Sequence, residues 1–236
     1  FILEVTPFKT FDFYRDFGRI NVFIPEKVYS VFNFTTNDNH PFTIAVQPQF
    51  TKFNQTGRAN YGFALSPKYR FNDKISIYYL LDYVKKFNDQ GLVDFDNNGA
   101  VFAERDREIA VNDIVGKYAI NNRMTLNLTA RYYWSYSLNH KFFTLKDNGY
   151  LIPNDTYVKN KDRNFNSWNF DLSYSWWFAP GSEISVLYRN YTQVGSNKVE
   201  KHLNTNLKNV FNSDMTNVFS ISLRYFIDYN RIKSKL

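Results

Sequence analysis

The chain contains no cysteine, so no disulfide framework and no thiolate metal site can organise it. It has no run of about 18 apolar residues, which excludes a transmembrane helix. A Walker loop, a dinucleotide-binding fingerprint, Cys/His metal spacing and a nucleophile elbow are all missing. Histidines number three, His40 in a turn and His140 and His202 in longer connections. A wall-mounted hydrolytic site would need one of them against a carboxylate such as Asp147 or Asp155. Geometry and not composition makes such a site, and a chain that is not an enzyme is the expectation.

What is present in excess is aromatic. Phe, Tyr and Trp supply 19% of the chain, with 18 Tyr and 24 Phe. Charged residues make up 22% and the mean hydropathy is −0.47, which as a bulk average describes a soluble protein. That average runs over both faces of any strand, however, and does not register alternation. The net charge of +7 comes from Lys and Arg scattered over turns, loops and polar strand faces. Such scatter suits an anionic lipid surface better than nucleic acid, for which a continuous basic stripe is needed.

The alternation is clearest between Ser167 and Tyr191. Trp168, Phe170, Leu172, Tyr174 and Trp176 occupy one parity; Ser167, Asn169, Asp171, Ser173 and Ser175 occupy the other. Period two is the repeat of a β-strand with unlike faces. Large apolar groups outside, small polar groups inside and aromatics near the strand ends are what a lipid-embedded barrel strand requires. The same pattern predicts strands at about 1–14, 28–35, 42–53, 61–71, 75–83, 109–120, 124–138 and 218–229. The predicted fold is therefore all-β, a transmembrane antiparallel up-and-down barrel with about ten strands in this chain. Pro48 falls within an otherwise regular strand, where its missing N–H costs a ladder bond.

Connections near residues 37–41, 72–74, 121–123 and 179–182 read as short, and those near 15–26, 54–58, 87–108, 139–165 and 193–216 as mostly long. Alternating short and long connections place one set in the periplasm and the other outside the cell. The polar parity then defines a lumen whose charges are Lys68, Arg70, Asp82, Lys117, Arg131, Asp171, Arg189, Arg224 and Asp228. Asp94, Asp96 and Asn98 in Asp94-Phe95-Asp96-Asn97-Asn98-Gly99 have the spacing of the first half of a calcium loop, but Arg105 occupies the position of the bidentate Glu. This is a weak candidate calcium site, and no cofactor is expected.

The segment Asn166-Ser-Trp-Asn-Phe-Asp-Leu-Ser-Tyr-Ser-Trp-Trp-Phe-Ala-Pro-Gly-Ser182, with Val186–Asn190 and Asn217–Tyr229, resembles a family of Bacteroidota outer-membrane proteins. Those proteins join an N-terminal β-sandwich, similar to a family 9 carbohydrate-binding module, to a C-terminal barrel of uncharacterised function. The resemblance covers roughly residues 166–229. It implies that residues 1–236 are the C-terminal barrel portion of a longer protein, an expectation in keeping with the start at Phe1. The expected role is a non-enzymatic anchor or component of a cell-envelope assembly or transport complex in the bacterial outer membrane. Its partners would be outer-membrane lipid, including lipopolysaccharide, and other envelope proteins, with no nucleic acid. A diffusion porin or a TonB-dependent-type transporter barrel is the alternative.

Overall fold

The computed structural model describes residues 1–14, 20–97 and 99–227. Most of them belong to one antiparallel sheet of 12 strands. In chain order the strands are β1 (Ile2–Thr6), β2 (Thr10–Tyr14), β3 (Ile20–Ile24), β4 (Lys27–Val31), β5 (Phe34–Thr35), β6 (Phe42–Phe53) and β7 (Ala59–Arg70). They continue with β8 (Ile75–Asp96), β9 (Gly99–Asn121), β10 (Met124–Leu145), β11 (Leu151–Pro153), β12 (Arg163–Ala179), β13 (Ser182–Ser196) and β14 (Thr216–Arg224), with one helix, α1 (Leu203–Phe211). The ladder runs β1-β4-β6-β7-β8-β9-β10-β12-β13-β14, each strand bonded to the next in an up-and-down meander. β5 pairs with β6, β11 pairs with β10, and β2 and β3 form a separate hairpin.

Closure is where the structure departs from the predicted barrel. β1 and β14 stand at opposite ends of the ladder and are not bonded to one another, so the sheet is open among the described residues. A barrel needs its two edges to become neighbours, and here each edge strand is paired on one side only. The predicted first strand at 1–14 also divides. Its early part joins the main sheet through Ile2↔Val31 to Thr6↔Lys27, and its later part turns away to pair with β3.

The second departure is the predicted long connection at 87–108, of which 87–96 and 99–108 are strand. β8, β9 and β10 run for 22, 23 and 22 residues, roughly 70 Å each at the usual rise. The charged residues that suggested a loop are cross-strand partners instead. Lys85 lies 3.6 Å from Glu108, and Arg105 and Arg107 each lie 3.5 Å from Asp89. Opposite charges facing across a ladder support extended structure, and a pattern search weighted towards apolar alternation passes over them.

Pro48 finds its explanation in the ladder. Its carbonyl accepts from the Phe32 N–H at 3.0 Å, so its N–H side faces the same neighbour. That neighbour is Phe32, in the gap between β4 and β5, so the reciprocal bond that the missing donor cannot make is lost where the pairing strand is interrupted.

Because directly opposed residues on antiparallel neighbours share a face, the register defines the two surfaces. Ile77, Gly116, Leu128, Leu172, Tyr188 and Phe219 form one row of the first face across six strands. Further along the same face Tyr132, Trp134 and Tyr136 are buried beneath α1, with Val210 and Leu207 packed against them. The predicted loop at 193–216 thus contains a helix docked on the sheet.

The docking is specified by one side chain. Asn206 of α1 is fully buried. Its Oδ1 accepts from Asn164 Nδ2 at 2.7 Å and Asn166 Nδ2 at 3.0 Å, and its Nδ2 donates to the carbonyls of Glu200 and His202. Tyr132 donates to Asn166 at 2.8 Å and Trp134 to Asn164 at 3.3 Å, so the network continues into the sheet. Asn206→Ala strands two amide donors in a buried site, and such groups cost about 1–3 kcal/mol each when unmade. The expected outcome is release of the 197–215 segment to protease with the main sheet unchanged in circular dichroism. Wild-type protease resistance of that segment in the variant would refute the role assigned to Asn206.

Candidate functional site: the polar face and its far end

The second face carries the predicted lumen charges. Starting from Val115↔Thr129↔Asp171↔Arg189, the register places Lys68, Arg70, Asp82, Lys117, Arg131, Asp171, Arg189 and Arg224 on one surface. Asp228 lies outside the described residues. Lys68 stands opposite Tyr78, Asp82 opposite Val111, Lys117 opposite Asn127, and Arg224 opposite Glu183.

Two of these charges are held in fork-to-fork pairs. Arg131 Nε and Nη2 donate to the Asp113 carboxylate at 2.7 and 2.8 Å. Arg189 donates in the same way to Asp171, with both contacts at 2.7 Å. Planar guanidinium on planar carboxylate is the strongest of the common side-chain ion pairs. Each pair joins neighbouring strands in adjacent rows of the ladder. The arginine side chains remain 56% and 48% exposed, so the pairs present charge to open space. Asp113 was not among the residues singled out from sequence; the i, i+18 relation to Arg131 exists only through the β9–β10 register. Arg70 does something different, donating from Nη2 to the carbonyls of Asp38 and His40 and pinning the 37–41 turn.

At the other end of the strands the candidate calcium residues occupy a hairpin. Asp96 pairs with Gly99, and Gly99 takes a φ of 112°, which favours glycine. Asn98 lies outside the described residues. Asp94 accepts from the Tyr157 hydroxyl at 2.6 Å and lies 2.9 Å from Lys161 Nζ and 3.8 Å from Lys159 Nζ. Asp94 therefore holds the 146–162 connection onto the β8–β9 tip. Among the described residues no group of three or more His, Cys, Asp or Glu is placed to hold a metal ion.

The two histidines considered for catalysis are separately engaged. His140 Nε2 lies 3.2 Å from Asp106 Oδ2, while His202 is the N-cap of α1 and its backbone N–H donates to Glu200.

Above the paired charges the polar face ends in a recess of about 780 Å³, lined among others by Arg105, Arg107, Arg163, Ser137 and Asn197. Lys86 stands directly opposite Arg107, and Arg107 opposite Ser137, which in turn faces Arg163. Burial pushes the Lys86 amine below its ordinary pKa; Asp89 opposes that shift, while Arg107, Arg105 and Arg58 add to it.

The class defined by these features is an all-β antiparallel meander with one apolar and one charged face. The chain belongs to the family described as a domain of unknown function, DUF5916, which matches residues 1–236. No curated protein and no solved structure matches the chain.

The hydrogen bond from Tyr157, followed by Lys161, holds the Asp94 carboxyl well below the usual carboxylate range, and the same contact pushes the Tyr157 hydroxyl up in addition to its burial. A depressed carboxylate contributes docking stability above its unfolded pKa of about 4 and loses it as pH falls towards the folded value. Protease resistance of the 146–162 connection is therefore expected to be full at neutral pH and to decline below about pH 4. Asp94→Asn should remove the pH dependence and lower the resistance at pH 7. An unchanged pH profile in Asp94→Asn would show that another group controls the docking.

Proposed function

We propose that this chain forms the wall of an outer-membrane β-barrel that anchors or takes part in a cell-envelope assembly or transport complex. The observation that carries the reading is the exposed apolar face. Ile77, Phe219, Ile221 and Leu223 are 42%, 67%, 65% and 66% exposed and lie in contiguous rows on one side of the sheet. Soluble monomers rarely expose apolar patches beyond a few hundred Å². A bilayer solves the problem directly, because hydrocarbon covers the outward side chains while the ladder satisfies the backbone. Tyr69, Tyr118 and Trp176 on that face lie towards the short turns, where a membrane interface would sit.

Strand length agrees with this reading. A tilted strand crosses the bilayer in about 9–11 residues, so β8, β9 and β10 continue roughly as far again beyond it. The apolar face changes character in that extension. Lys85 and Glu108 replace aliphatic residues, Tyr83 and Tyr136 donate to Glu108, and α1 covers the aromatics. In the proposed barrel the unpaired edges of β1 and β14 would be completed by further strands of a longer protein. The resemblance to Bacteroidota outer-membrane proteins suggests that such a protein also carries a periplasmic family-9-like sandwich. The docked segments at 146–162 and 197–215 would then lie outside the cell as contact surfaces.

A second reading, a diffusion porin or TonB-dependent-type transporter barrel, draws on the exposure of the Arg131–Asp113 and Arg189–Asp171 pairs. Charges that face a hydrated lumen tune which ions pass.

Arg substituted at Leu172 or Leu223 is expected to cost about 2–4 kcal/mol of insertion if these residues face mid-bilayer, while Ser173→Arg, on the other face, is tolerated. Heat-modifiable migration after refolding into lipid vesicles measures this, and equal tolerance at all three positions would sink the assignment of faces. Single-channel recording of the full-length protein separates the two readings. Silent bilayers with insertion confirmed favour the anchor, whereas steady steps whose selectivity changes in Arg131→Gln or Asp171→Asn favour the pore.

A further inference from the structure

We propose that the recess at the far end of the polar face binds an oxyanion-bearing solute, a phosphate, sulfate or carboxylate group carried on a larger polar molecule. The inference needs only the strand register and holds whether or not the opposite face borders lipid.

Lys86, Arg107 and Arg163 fall on one register line across β8, β9, β10 and β12, with Ser137 between the two arginines. Arg105 stands two residues along β9 from Arg107, on the same face. Among the described residues of these strands the carboxylate that stands with these four cations on that face is Asp89, which lies 3.5 Å from both Arg105 and Arg107. The neighbouring acids of β9 do not help. Glu104, Asp106 and Glu108 alternate to the other side, where they meet Lys141, His140 and Lys85.

This arrangement is costly to the fold. Like charges directly opposite on a ladder destabilise it, and Lys86 faces Arg107 in that relation. Arg107 Nε is in addition buried without a hydrogen-bond partner. An ordinary structural ion-pair network would balance such a row with acids. A multiply charged anion would offset the repulsion by accepting from several guanidinium groups at once, the geometry for which arginine is suited.

The shape of the recess specifies the rest of the ligand. Its volume of about 780 Å³ is within the range of small-molecule sites and far exceeds one inorganic ion. Ser135, Ser137 and Asn197 supply hydroxyl and amide groups around the cations, with Phe165 as an apolar surface. Hydroxyl and amide lining suits a hydroxylated carrier such as a sugar. The charged end would lie against Arg105, Arg107 and Arg163 and the carrier towards Asn197.

Calorimetric titration of the full-length protein in detergent with inorganic pyrophosphate and with citrate tests the site. Saturable binding of either probe is expected, and the stronger of the two identifies the preferred group. Arg107→Gln should weaken it about tenfold or more, while Lys74→Gln, at the opposite end of the strands, leaves it unchanged. Arg163→Gln, on an exposed side chain, should weaken binding with folding untouched and covers the case in which Arg107→Gln does not fold. Absence of saturable heat with both probes overturns the proposal. So does equal weakening by Lys74→Gln, which would mark the binding as a general effect of net charge.

Discussion

The cross-strand ladder is the constraint on which the rest of this molecule depends. Each strand from β4 to β13 along its path is bonded on both sides, and only β1 and β14 keep a free edge. Once that ladder fixes the register, period-two alternation leaves no freedom about which side chains share a surface. The apolar rows, the paired charges and the cationic row all follow from it. A slip of β10 by one residue against its neighbours would move Leu128 to the charged face and Arg131 to the apolar one.

The two faces divide the energetic work. On the apolar face little is buried along the rows nearest the short turns, and burial appears where α1 covers Tyr132, Trp134 and Tyr136 and, further out, at Ala100 and Phe102. The core in the ordinary sense is therefore displaced to the far end of the strands, together with the second cluster around Val22, Ala100 and Phe102. A soluble sheet would place its core at mid-strand. The displacement is intelligible if the middle of the sheet is meant for another apolar solvent, and it places the most elaborate polar chemistry beyond that region. Asn206, Glu108 and Asp94 each tie a connection or a strand pair together there through several hydrogen bonds or ion pairs.

The polar face is graded in the same direction. Near the middle, Arg131–Asp113 and Arg189–Asp171 are balanced one to one. Towards the far end the balance shifts to cations around Asp89. In a barrel this would be a passage or vestibule with a positive mouth, and charge of one sign in a confined site raises the local concentration of ions of the other. The proposed anchoring and the proposed solute binding would be compatible in such an arrangement, since they draw on opposite faces.

Much of this was legible from the amino-acid order. The strands at 42–53, 75–83, 124–138 and 167–176 are period-two patterns strong enough to be read directly, and the eight described charges assigned to the polar parity do share one face. The short turns at 37–41, 72–74 and 121–123 were marked by Asn and Asp. Tertiary structure alone decided that 87–96 and 99–107 are strand, because their alternation is between ions whose partners lie on another strand. The burial of Asn206 and the pairing of Arg131 with Asp113 were likewise settled only by register and packing. Local pattern determines whether a residue can stand on a β-face, since that is a property of backbone pleat. Which residues it meets depends on contacts tens of residues away, and no local pattern contains them.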